Sequence, residues 1–201
     1  MNNVLYQVHD NLYVNLTNRC PCACTFCLRQ TMDKVGNSDS LWLQQEPELD
    51  TLKHEFALRD MSRYREVVFC GFGEPTERLD VLLQTAHYVK DTYQKPIRLN
   101  TNGLGDLING RPIAHELSGA VDTVSISLNT PDRDAYLALV RPRFGLISFD
   151  AMLSFAADCV KYVPHVVLTT VATTLTPQQE QACAEICSRI GAIYRIRPWE
   201  S

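Results

Sequence analysis

The chain lacks the marks of an exported or membrane-bound protein. Its opening residues, MNNVLYQVHDNLYVNLTNRC, have no basic start, no long apolar run and no small-residue cleavage site, so they do not read as a leader. No later apolar run approaches the length that crosses a bilayer, and a cytoplasmic location is the expectation. Basic excess is also missing. With 19 Lys and Arg against 23 Asp and Glu, the formal net charge is -4, which supplies no general field for polyanions. A nucleic-acid partner is therefore not implied, although a local basic site can still hold one phosphate. The 5 histidines form no H-x-x-x-H pair. His54, His87, His115 and His165 read as surface or locally hydrogen-bonded side chains. Internal repeats and low-complexity tracts are absent as well.

Cysteine is what the chain has in quantity. Of its 8 cysteines, Cys20, Cys22, Cys24 and Cys27 crowd into one short segment. In a secreted chain such crowding would mean disulfides, but with no export signal metal binding is the better account. Within the segment lies the C-x3-C-x2-C spacing Cys20, Cys24, Cys27. Three thiolates on one loop can hold three irons of a 4Fe-4S cube and leave the fourth iron open, and an open position marks a catalytic site rather than a structural one. Zinc is the alternative, because soft thiolates suit both and Cys22 can serve as a fourth ligand. Cys183 and Cys187 share a helical face and could pair on a metal. They, Cys70 and Cys159 otherwise read as buried core thiols.

Six β-rich runs, 12–17 (LYVNLT), 66–71 (EVVFCG), 96–101 (PIRLNT), 123–129 (TVSISLN), 165–171 (HVVLTTV) and 192–197 (AIYRIR), alternate with helical stretches at 49–62, 79–93, 111–117, 149–162 and 177–190. Such a repeat predicts a parallel α/β sheet in one domain. Thr176 caps the last helix, with Pro177 in its first turn, and Gly191 stops it. The pattern permits either an incomplete barrel or an open Rossmann-like sheet. In both, chemistry gathers at the carboxyl ends of the strands, where this chain puts its cysteines, Gly71 to Pro75, Asn100 to Gly103, and Ser127 with Asn129. The 28–47 segment is longer than an ordinary βα connection and has the character of a lid or binding loop. Trp42 is either its surface anchor or a ligand contact.

With these residues in place, the chain resembles the radical S-adenosylmethionine (radical SAM) superfamily, and more narrowly the small TatD-associated radical SAM group. The Cys20-x3-Cys24-x2-Cys27 motif, with Phe26 before the last cysteine, carries the likeness. So does Gly71-Phe72-Gly73-Glu74-Pro75, which is similar to the family's Gly-Gly-Glu-Pro element with Phe72 inserted. The resemblance implies a partial (β/α)6 TIM-like barrel spanning residues 1–201, with the cluster loop at 18–30. It implies a 4Fe-4S cluster held by Cys20, Cys24 and Cys27, and SAM chelating the open iron. It also implies reductive cleavage of SAM to a 5'-deoxyadenosyl radical that abstracts hydrogen from a small substrate, with a flavodoxin or ferredoxin as electron donor. A glycyl-radical activating role is the alternative within the family. The absence of a second C-x2-C array speaks against the maturases of large peptides that carry additional clusters. The likeness carries cofactor contacts to Gly71, Gly73, Glu74, Asn102, Ser127 and Asn129.

Arg195 shares a strand face with Arg197, and buried guanidinium groups need anionic partners. The methionine carboxylate or an acidic substrate would serve, and two exposed edge arginines are the bland reading. Arg29, Arg141 and Arg143 are further anion contacts to weigh. Cys22 is read as a loop thiol that the family pattern does not require.

Overall fold

A computed structural model describes residues 3–36 and 38–198. Positions 1–2 and 199–201, the ends of the expected domain, and position 37 in the long loop lie outside the described residues. Seven strands form one sheet in sequential order. β1 (Leu5–Val8) and β2 (Asn11–Val14) make an antiparallel hairpin. From β2 onward every neighbour is parallel, through β3 (Val67–Phe69), β4 (Ile97–Thr101), β5 (Thr123–Ser127), β6 (His165–Val171) and β7 (Ile193–Arg197). Sequential parallel order is what a singly wound barrel requires, because an open Rossmann-like sheet reverses direction part-way. The architecture is thus a partial (β/α)6 barrel with one extra antiparallel strand. All six expected runs are strands, trimmed where the chain leaves the sheet to build the rim.

Alternation along the strands sorts the chemistry into two faces. Leu12, Val14, Val67, Phe69, Ile97, Leu99, Val124, Ile126, Val166 and Leu168 are buried in one apolar cluster under the helices. The intervening positions face the barrel interior and mix polar residues, among them Tyr13, Arg98, Asn100, Ser125 and Thr169, with Val68 and Val167. Helix α2 (Leu79–Tyr93) answers the outer face with Leu79, Val81, Leu82, Thr85, Ala86 and Val89. In α5 (Ser148–Tyr162) the stripe is Phe149, Met152, Phe155, Ala156 and Cys159. Both stripes follow the three-to-four-residue helical period, and each fully buried large apolar side chain contributes roughly 1.5–3 kcal/mol. Cys183 and Cys187 on α6 (Pro177–Ile190) belong to this core. Burial pushes both thiols up to about 11.

Four local expectations need correction. The strand read as the first is the second. His9, at a φ of 51°, turns the chain so that residues 5–8 pair back on β2. The 49–62 helix stops earlier: α1 is Leu49–Ala57, and a 3-10 turn, Met61–Arg63, follows because the Asp60 side chain accepts from the Ser62 N–H and starts it anew. The 111–117 helix is instead a short α3 (Gly105–Asn109), ended by Gly110 at a φ of 65°, and a 3-10 turn, Ala114–Leu117, beyond Pro112. Finally, α4 (Arg133–Val140) stands between β5 and α5, capped by Asp132 accepting from the Ala135 N–H. Thr130-Pro131-Asp132 was its signal in the sequence.

Helix α6 opens with a capping box in which the Thr176 hydroxyl accepts from the Gln179 N–H and the Gln179 side chain accepts from the Thr176 N–H. Thr176→Ala is expected to lower stability by about 1 kcal/mol. A urea unfolding curve reads this as a lower midpoint with an unchanged slope.

Candidate functional site

The cysteine loop leaves the carboxyl end of β2 and is stitched to the end of α4. Ala23 N–H donates to the Val140 carbonyl at 3.2 Å, Thr25 N–H to Leu139 at 2.9 Å and Arg143 N–H to Pro21 at 2.8 Å, while Cys22 and Pro142 form an isolated antiparallel bridge. From inside, the Arg29 guanidinium donates to the carbonyls of Asn18 at 3.4 Å and Cys22 at 3.1 Å, and Gln30 Nε2 donates to the Cys24 carbonyl at 2.6 Å. Arg29 is therefore a clamp on the loop backbone. Arg143 lies 3.7 Å from Glu77 and over the Phe144 ring, and Arg141 ends α4 at a φ of 49°. Of the three arginines, Arg29 holds the loop by its side chain, and Arg143 by its backbone N–H.

Held this way, the thiols meet. Cys22 is buried, and its sulfur lies within hydrogen-bonding reach of Cys20 and Cys24. Those contacts hold Cys20 and Cys24 below the ordinary thiol value and push Cys22 far above it. Burial pushes Cys27 up. Asn102 Nδ2 points at the same nest, 3.9 Å from Cys20 Sγ and 3.7 Å from Cys22 Sγ. Among the described residues no three His, Cys, Asp or Glu side chains converge as ligands of a single ion.

The glycine turn after β3 is packed against this loop. A Cβ on Gly71 would sit 2.1 Å from Asn15 Oδ1, and one on Gly73 would sit 2.2 Å from the Thr17 carbonyl oxygen and 2.6 Å from that of Arg19. Only glycine permits these approaches. Glu74 N–H then donates to the Arg19 carbonyl at 2.8 Å. The Glu74 side chain is buried, and its carboxylate is engaged by the protein itself. Oε1 accepts from Thr76 N–H (3.2 Å), Thr76 Oγ1 (2.8 Å) and Thr101 Oγ1 (2.7 Å), and Oε2 accepts from Asn102 N–H (2.8 Å). Burial pushes its pKa up against the pull of these donors. Phe72 is buried, with the Trp42 ring edge-on at 5.2 Å, so Trp42 anchors the long loop.

The rest of that loop is pinned too. Asn15 Nδ2 donates to the Leu41 carbonyl at 2.7 Å, Asn18 Nδ2 to that of Leu43 at 2.8 Å, and Glu46 gathers Thr17, Arg19 and Arg78. Its second half is a strap around the end of β2 rather than a free lid.

Among the other expected residues, Ser127 ends β5, and Asn129 is buried at a φ of 66° with Nδ2 on the Ser127 carbonyl at 3.2 Å. Asn129 thus closes a turn. Arg195 on β7 reaches across β6 to Ser125 Oγ on β5 at 3.5 Å, which turns its guanidinium into the interior. Cys20, Cys24, Gly71, Gly73, Glu74 and Asn102 come together at the mouth. Cys27 stands at the loop's far end beside a 3-10 turn, Leu28–Gln30. Arg195 lies deeper.

Residues 14–188 match the model of the radical SAM superfamily. The chain belongs to that superfamily. It is also similar to a GTP 3',8-cyclase of Corynebacterium glutamicum (strain R), 32% identical over 198 residues covering 94% of this chain and 49% of the relative. A probable GTP 3',8-cyclase of Thermococcus kodakarensis is 27% identical over 189 residues, 92% of this chain and 55% of that one. This chain thus spans about half the length of the curated relatives it matches. Among solved structures, SuiB of Streptococcus suis bound to its precursor peptide SuiA superposes with a TM-score of 0.69 at 15% identity, over 98% of this chain and 40% of that one. Methylornithine synthase superposes at 0.61 and 13% identity, over 94% and 53%. These likenesses establish the shared radical SAM barrel.

The donors at the mouth suit a radical SAM cluster. Tyr136 is buried, its hydroxyl has no hydrogen-bond partner among the described residues, and it lies in the field of Cys22, Cys24, Glu74 and Cys20. A buried hydroxyl without a partner costs about 1–3 kcal/mol, and cluster sulfur would supply an acceptor. Asn15 Oδ1 is likewise buried without a partner among the described residues, packed beside Gly71. Sequence reading missed Tyr136 and the 139–143 clamp because it missed α4.

Two substitutions test this construction. Glu74→Gln puts an amide donor against the Asn102 N–H or the two threonines, and a loss of about 1–3 kcal/mol in urea unfolding is expected. Gly73→Ala forces the backbone at Thr17 and Arg19 aside. Iron and sulfide bound after anaerobic reconstitution should then fall well below wild type.

Proposed function

We propose that the chain is a radical-generating enzyme in which Cys20, Cys24 and Cys27 hold a 4Fe-4S cluster and the Gly71 to Pro75 turn seats SAM beside it. The observation that carries this reading is the clamped cysteine loop at the barrel mouth, with Asn102 Nδ2 aimed at its sulfurs. When bound, the reduced cluster supplies one electron to the sulfonium of SAM, which breaks to methionine and a 5'-deoxyadenosyl radical able to take hydrogen from a substrate.

The protein's own part is to hold and exclude. Contact with Cys22 holds the Cys20 and Cys24 thiols below the ordinary value, whereas Cys22 and Cys27 are raised. Gly71 and Gly73 act by letting the turn close on the loop, and Glu74 acts by locking the turn to the end of β4. Asn102, Ser127 and Asn129 form the rim against which the adenosyl group and substrate would lie. Exposed Phe26, beside Cys27, is on the side from which a flavodoxin or ferredoxin would reach the cluster.

The same proposal takes residues 1–201 as one radical SAM domain of the TatD-associated group, acting on a small molecule in the cytoplasm. No helix among the described residues is long and apolar enough to cross a membrane. GTP, which the curated relatives' names give as their substrate, does not carry over on half of their length.

Anaerobic reconstitution, dithionite reduction and chromatography for 5'-deoxyadenosine and methionine test the proposal. Wild type is expected to form both from SAM. Cys20→Ser, Cys24→Ser and Cys27→Ser should lose the cluster absorbance and fall to the protein-free blank, and Cys22→Ser should keep both. A colourless protein with one zinc, or an iron-sulfur protein that never cleaves SAM with or without substrate, would end the proposal.

A further inference from the structure

The interior below the cluster mouth concentrates positive charge that the protein leaves uncompensated. Arg98 on β4, Arg195 and Arg197 on β7 all occupy inward positions of the strand alternation. Arg98 is neutralised, because its Nη2 and Nε donate to Glu66 Oε1 at 2.7 and 3.1 Å. Glu66 is the one carboxylate in the group. Arg195 and Arg197 have no ion pair among the described residues. Arg195 makes one long hydrogen bond, to Ser125 Oγ at 3.5 Å, and Arg197 Nε is buried with no hydrogen-bond partner.

Arg195 is exposed and Arg197 half-buried on the edge strand β7, so the two unpaired guanidinium groups are open to a ligand arriving from solvent. Burial pulls the Arg195 pKa down, and the charges of Arg98 and Arg197 pull it further. Each arginine therefore raises the electrostatic cost of the others, and an anion between them reverses that sign. Guanidinium forks match carboxylate and phosphate oxygens in pairs. A neutral acceptor would meet the Arg197 Nε donor but leave both charges uncompensated, and a cationic ligand would add to the repulsion.

We infer that Arg195 and Arg197 receive the acid group of a small substrate, a carboxylate or a phosphate, inside the barrel on the far side of the glycine turn from the cysteines. This rests on the proposed radical-generating function for what the bound molecule undergoes, but the anion site stands on its own geometry. Cys70, the residue before Gly71, lies in the field of both Arg98 and Arg197, which brings the anion seat up to the floor of the SAM turn. Ser125, Ser127 and Asn100 share the same face and offer hydrogen bonds to the rest of the molecule. A substrate anchored there by its acid end has its remaining carbons between the seat and the rim.

Calorimetric titration of anaerobically reconstituted protein, saturated with SAM, tests the inference with inorganic phosphate and succinate as probes. At least one should bind wild type, and its affinity should drop about 10-fold or more, the loss of roughly 1.4 kcal/mol, in Arg195→Gln and in Arg197→Gln. Arg195→Lys keeps the charge without the fork and should fall between. Thermal unfolding of each variant, expected to match wild type, separates a lost contact from a lost fold. The inference is overturned if neither probe binds wild type, or if the glutamine variants bind as well as wild type does. It is also overturned if SAM displaces the probes and the variants lose SAM affinity instead, since the arginines then hold the methionine carboxylate. Probe binding that depends on both arginines in a protein unable to cleave SAM would leave the anion site standing and remove the radical function alone.

Discussion

One buried carboxylate organises the mouth of this barrel. Glu74 accepts hydrogen bonds from Thr76, Thr101 and Asn102, and its own N–H donates to the Arg19 carbonyl, so a single residue joins the ends of β2, β3 and β4. Asn102 carries the connection onward to the sulfurs of Cys20 and Cys22. A buried charge is tolerated only when its oxygens are met by donors, and here the donors belong to the segments that must be held in register for chemistry. The stabilisation of Glu74 and the shape of the site are therefore one arrangement.

The glycines make that arrangement sterically possible. Gly73 lies where any side chain would enter the Thr17 and Arg19 backbone, and Gly71 lies where it would meet Asn15. The turn can then close on the cysteine loop from the inside while residues 139–143 close on it from the outside. Between the two, the loop has little freedom left. A cluster ligated by three short-loop thiolates benefits directly, because second-shell contacts orient the ligands and exclude solvent.

Below the mouth the barrel changes character. Its outward strand faces are apolar and buried by helices, and its inward faces carry arginine, asparagine, serine and threonine. Packing on the outside supplies stability, which frees the inside for recognition. Cys70, beside the glycine turn, lies in the field of Arg98 and Arg197.

Much of this was legible in the residues. The Cys20, Cys24, Cys27 spacing, the glycine turn and six strand runs alternating with helices depend on neighbours a few positions apart, and local patterns of that kind survive folding. The N-terminal hairpin was hidden because its turn rests on His9 in a left-handed conformation, which no composition signals. Helix α4 was hidden by its shortness, and with it the clamp on the cysteine loop and the orphan hydroxyl of Tyr136. The long loop looked like a lid because its anchors, Asn15, Asn18 and Arg78, are separated from it in the chain. What the sequence determined by itself was the cysteine spacing, the glycine turn and the alternation of strands with helices, all written in short-range patterns. Only tertiary structure decided that Glu74 is spent inside the protein, that Arg29 and Arg143 hold the loop, and that Arg195 points inward unpaired. Those outcomes depend on which distant groups barrel closure brings within hydrogen-bonding range.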